Sequence, residues 1–168
     1  MDRSKKQAFY FHALLIQAMT KISSEITISI SKNFNIPINK VEQDAEPFIR
    51  SLFVYILHSL IIKNMDNGKY VAENFLINIG KSEKELNDLY DLYGEDGVES
   101  EASFAGNLKY HLGLIDNLDS YSLEELEKMD ASFYLYYLRI KSACESILKS
   151  DIDEVELKNG FFDYSGDR

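Results

Sequence analysis

Apolar positions recur every three or four residues along most of the chain, which is the period of a helix and not of a strand. The first run sets Phe9, Ala13, Ile16, Met19, Ile22, Ile26 and Ile30 on one face and predicts a helix from Ser4 to Lys32. Within it, Ile26-Thr27-Ile28-Ser29-Ile30-Ser31 also alternates, and its β-branched residues suit a strand. The in-phase pattern that precedes it favours helix. Asn35 and Pro37 make Asn33–Lys40 a connector, because the residue before a proline avoids helical geometry. Asp44 is a candidate N-cap, with Pro47 accommodated in the first turn. The helix that follows, Ala45–Asn64, is apolar nearly all round, from Leu52 to Leu57 and from Leu60 to Ile62, so other elements must surround it.

Asp66-Asn67-Gly68 reads as a turn in which Asn and Gly supply positive φ. A helix over Lys69–Ile79, with Val71, Phe75, Leu76 and Ile79 inward, stops at Gly80. Ser82-x-x-Glu85 is a capping box that opens a helix carrying Leu86, Leu89, Tyr90 and Tyr93 and ending at Gly94. Gly94–Ser103 reads as a mobile loop, rich in acids and glycine. Phe104, Leu108, Leu112, Ile115 and Leu118 predict one helix, weakened at Gly106 and Gly113. Ser122-x-x-Glu125 is a second capping box, before a short helix ending near Met129. Asp130 is expected to cap the last long helix, Ala131–Lys149. Its core face is Phe133, Tyr137, Ile140, Cys144 and Ile147, and Tyr134, Leu135, Tyr136 and Leu138 suggest packing on two sides. A final turn over Asp151–Lys158 precedes an aromatic tail, Phe161-Phe162-Asp163-Tyr164. The fold class is therefore all-α: one domain over residues 1–168, a bundle of about six to eight helices around the apolar helix near 45–64.

Composition agrees with that reading. The chain has 168 residues, 45% of them hydrophobic and 27% charged, enough to bury a core without disulfides or metals. Met1–Met19 has the basic start of a signal peptide, but His12 and Gln17 interrupt its apolar run, so it reads as an amphipathic helix. Phe48–Ile62, with Arg50 and His58 inside it, is too short and too polar to span a bilayer. Cys144 is the only cysteine, which is compatible with a reducing cytoplasm.

Charge changes the picture more. The net charge is −10, and residues 85–168 hold 20 acids against 7 bases, while residues 1–84 hold 8 acids and 11 bases. Glu85–Asp130 alone holds thirteen acids and two lysines, Lys109 and Lys128. Such a field repels nucleic acid and anionic membrane and steers cationic partners onto the second half. A charge run of this kind also serves simply as a solvated face.

Catalytic chemistry finds no support in the sequence. His12, His58 and His111 fall on separate predicted helices without metal-ligand spacing, and neither acidic stretch matches a calcium loop. Cys144 lies on a core face, and no nucleophile elbow or glycine-rich phosphate loop occurs. No catalytic residue, metal or cofactor is expected. What remains is recognition of a protein. The partner-binding residues expected are Asp88, Asp91, Tyr93, Glu95, Asp96, Glu99, Glu101, Asp116 and Asp119, with Tyr90, Tyr110 and Tyr121 as further tyrosines nearby. The expected function is inhibition of a basic protein, in the form of a bacterial immunity protein that neutralises a toxin nuclease in the cytoplasm. A phage inhibitor of a nucleic-acid-targeting defence complex would use the same physics. The alternative is an acidic adaptor or secretion-chaperone-like homodimer joined through Phe48–Ile62 or the aromatic helix at Phe133–Tyr137. The chain is expected to be a monomer or homodimer that binds neither nucleic acid nor membrane.

Overall fold

The structure, a computed structural model, describes residues 2–80, 84, 85, 87, 88 and 101–150. These residues form six bounded α-helices and one 3-10 helix, residues 84, 85, 87 and 88 are helical as well, and no strand occurs among the described residues. Helix α1 spans Arg3–Phe34; the Asp2 carboxylate caps it, accepting from the Lys5 amide at 2.9 Å. The alternation at 26–31 does not form a strand. Ile26, Thr27 and Ile30 are buried while Ile28 is exposed, the pattern of one helical face. In the first half of α1 the inward face is Ala8, Phe11 and Leu15. Ile16, expected inside, is 44% exposed.

Asn35 ends α1 in the left-handed conformation, with φ 56°, and the Ile36 amide donates back to the Ser31 carbonyl at 3.2 Å. The connector expected over 33–40 is shorter than that, because α2 occupies Ile38–Asp44. Asp44 is therefore not an N-cap; it closes α2 and pairs with Lys40 at 3.2 Å. Helix α3 begins at Glu46, its axis bent from α2 by 43°. Pro47 explains the break, since it has no amide proton to continue the α2 ladder and its ring crowds the preceding turn.

The central position of α3, Glu46–Asn64, is as the sequence indicates. Eleven of its nineteen residues are buried, including the unbroken run from Leu52 to Ser59. It packs against α1, α2, α4 (Gly68–Ile79) and α6 (Leu123–Leu148). No single helix among the described residues is long and apolar enough to cross a membrane. The bent pair α2 and α3 passes that test together by length and composition, and in α3 the apolarity is accounted for by the core around it.

The glycine at the α3–α4 turn serves a different purpose from the one expected. Asn67 has φ −104° and Gly68 is not among the positive-φ residues. A Cβ on Gly68 would instead lie 2.6 Å from the Ile61 carbonyl oxygen and 2.9 Å from the Ile62 backbone, so glycine lets the two helix ends meet. Gly80 does end α4, with φ 79°.

Two further boundaries differ from expectation. The helix expected to continue through Leu118 stops early: α5 covers Glu101–His111, and the 3-10 helix covers Ile115–Ser120. Gly113, at φ 72°, donates to the Tyr110 carbonyl and Leu114 donates to that of Lys109, which is a Schellman ending with Leu114 buried beneath it. Conversely, the two helices expected around Asp130 are one. Helix α6 runs 26 residues from Leu123, opened by a complete capping box: Glu125 N–H donates to Ser122 Oγ and Ser122 N–H to Glu125 Oε1, each at 3.1 Å. Its buried face is Met129, Phe133, Tyr137, Ile140, Cys144 and Ile147.

That face carries the core. Phe133 meets Phe34 of α1 edge-on at 5.7 Å, and Tyr137 meets Phe104 of α5 at 5.8 Å. Phe48 of α3 stacks on both Phe104, at 5.9 Å, and His111, at 4.5 Å. Polar contacts tie α6 to α1 at the rim, where the Tyr136 hydroxyl meets Ser29 Oγ at 2.6 Å and Arg139 pairs with Glu25.

Candidate functional site

The acids divide by what their carboxylates already do. Glu125 is held in the capping box, and the Ser122 amide that donates to it keeps its carboxyl below the usual range. Asp130, expected to start a helix, is exposed on the first half of α6 and pairs with Lys109 of α5. Asp116, Asp119, Glu124 and Glu127 are all exposed, and none forms an ion pair among the described residues. The chain places them in succession, two on the 3-10 helix and two on the first turns of α6, so within twelve residues this stretch presents four exposed carboxylates that pair with no described residue.

Large apolar side chains nearby in the chain are also exposed. Leu123 is 74% exposed and Ile115 45% exposed, and Tyr110, at the end of α5, is 69% exposed. Leu123 occupies the first position of a capped helix, where the box below it fixes the backbone and leaves the side chain in water. Neither Leu123 nor Ile115 is an expected site residue. Their signal in the sequence is only that Leu123 falls outside the phase of the Met129–Ile147 face. Tyr121, by contrast, is half-buried and packs against the core.

Of the residues expected to bind a partner, Asp116 and Asp119 share the 3-10 helix, and Asp88 is exposed on a helical segment. Glu101 opens α5 and is not part of a loop. Asp91, Tyr93, Glu95, Asp96 and Glu99 lie outside the described residues, as do Tyr90, most of the expected Gly94–Ser103 loop, Ser82 of the first capping box, and the tail from Asp151.

The titratable groups of the interior are arranged for packing. His58 is 5% exposed within α3, and burial pushes its imidazole down to about 4. His12 and His111, each half-buried, are shifted in the same direction for the same reason. Cys144 is fully buried, its Sγ 3.5 Å from the Phe53 carbonyl, and burial raises its thiol far above the reactive range. No group of three or more His, Cys, Asp or Glu that could hold a metal occurs among the described residues. An open groove of about 380 Å³ runs between α1 and α6, lined by Leu14, Ala18, Ala143 and Ile147; among the described residues Lys21 is its one charged lining residue.

Comparison with protein-family models, curated proteins and solved structures finds no match.

Proposed function

We propose that this protein is a non-enzymatic inhibitor that binds a basic protein, in the form of a bacterial immunity protein neutralising a cognate toxin nuclease in the cytoplasm. The observation that carries this reading is the stretch at residues 115–127, where four exposed carboxylates, in no ion pair among the described residues, occur together with the exposed Leu123 and Ile115. Nuclease sites hold phosphates with lysine and arginine, and a surface that presents carboxylates competes for the same cations. Apolar side chains within an acidic rim add contact area that water leaves on binding, while the charges speed encounter. A phage inhibitor of a nucleic-acid-targeting defence complex is the same chemistry with a different target.

The test is affinity capture from the source cell, eluted with a salt gradient. A single basic protein released at high salt is the expected result, and Asp116→Lys with Asp119→Lys should abolish its capture. Capture that survives the double reversal, or a captured protein of acidic charge, rejects this surface as the binding site.

A further inference from the structure

We infer that two copies of this chain pair through α6, antiparallel and across a two-fold axis near Tyr134 and Leu135. Helix α6 meets α1, α3 and α5 with the face that runs from Met129 to Ile147. The opposite face carries Ala131, Tyr134, Leu135 and Leu138, all exposed, with Leu135 at 63%. Their spacings of three and four residues make one stripe along the helix, the seam that a partner helix covers. The neighbouring helices of the same copy leave this stripe in water, and α3, the other apolar helix, is already enclosed.

Charge selects the occupant. Leaving out Glu125, held in the capping box, and Asp130 and Arg139, paired with Lys109 and Glu25, residues 123–130 of α6 keep two acids and one lysine, and residues 139–149 keep two lysines and one acid. An antiparallel second copy sets each acidic end beside a basic end, and it opposes the two helix dipoles. A parallel copy sets like charge beside like. The stripe is also centred on itself: a two-fold between residues 134 and 135 brings Ala131 opposite Leu138, small against large, and Tyr134 opposite Leu135. An interface of this kind is self-complementary and closes at two copies. It shares Glu124 and Glu127 with the inhibitor reading, but its test is separate, since Asp116 and Asp119, the residues reversed to test that reading, lie on the 3-10 helix outside the paired stripe.

Sedimentation equilibrium of the full chain, from micromolar to about a hundred micromolar, should show twice the 19.4 kDa mass of one copy. Leu135→Glu should return it to one copy with unchanged helical circular dichroism, because that side chain stands in water in the single copy. Orientation is read by oxidative cross-linking. Ala131→Cys mixed with Leu138→Cys should give a disulfide-linked pair, and Ala131→Cys alone should not; the buried Cys144 does not take part. A single-copy mass throughout the concentration range overturns the inference. So does a dimer indifferent to Leu135→Glu, or a cross-link formed by Ala131→Cys alone.

Discussion

At the scale of single residues, burial and close contact decide most of what can be tested. Gly68 sits where helix backbone meets helix backbone, and any Cβ there collides with the carbonyl of Ile61. Gly68→Ala should therefore destabilise by about 1–3 kcal/mol in urea unfolding, the usual cost of overpacking. Gly106 is the reverse case. A Cβ on it meets nothing within 4 Å and its φ is negative, so Gly106→Ala should stabilise by about 1 kcal/mol through helix propensity alone. His58 links the fold to pH. Its folded-state pKa of about 4 lies below the ordinary 6.5, so the unfolded chain takes up a proton that the folded chain refuses. Its contribution is intact above pH 6.5 and is lost as pH falls toward 4. Between pH 7 and pH 5 the loss amounts to about 2 kcal/mol for this histidine. His12 and His111 add to the same slope. Unfolding free energies of the native chain and His58→Gln, measured across that window, should differ in slope, with the variant flatter. Parallel slopes would mean that His58 takes up its proton as readily folded as unfolded.

At the scale of elements, the chain shows which boundaries a sequence can declare. Gly80 and the Ser122–Glu125 box were legible because each acts through its own backbone or its nearest neighbours. The central helix was legible because no arrangement leaves Leu52–Leu57 in water. The division at Asp130 failed for an identifiable reason. Asp130 has the chemistry of a cap, but Met129 is in phase with Phe133 and Tyr137, and burial of that continuous face outweighs the local preference of one aspartate. The start of α3 was legible to within one residue, but α2 was missed because Val41 is its one buried residue and it shows no apolar period; the end of α5 was misplaced because the apolar spacing runs on past Gly113 to Leu118. The candidate site was only half legible. Acid count marks the segment, but it does not tell Glu125 and Asp130, which hold the structure together, from Asp116 and Glu127, which form no ion pair among the described residues. The box itself gives a check at this scale. Ser122→Ala should lower stability by about 1 kcal/mol, seen as an earlier urea midpoint at unchanged slope. A variant as stable as the native chain would show that the N-terminal turns of α6 fray without consequence.

At the scale of the whole molecule, the same charges that suit a basic partner act against the compact state. The second half of the sequence carries 20 acids and 7 bases, and like charges held together in a fold repel. The exposed ion pairs recover little of this, since pairs in water contribute on the order of 1 kcal/mol or less. The repulsion is screened by salt, because the Debye length falls from about 30 Å at 0.01 M to about 8 Å at 0.15 M. Thermal stability should therefore rise with sodium chloride over that range. Asp116→Lys with Asp119→Lys removes two repelling charges and adds two attracting ones at exposed positions that support no packing. This variant should melt higher than the native chain at low salt, with the gap closing as salt rises. Differential scanning calorimetry at the two salt concentrations reads both effects. If the variant also loses the captured partner, the acidic corner is kept for binding at a cost in stability, the trade-off found where function needs a locally unfavourable surface. A variant that melts lower at both salt concentrations would show instead that Asp116 and Asp119 support the fold.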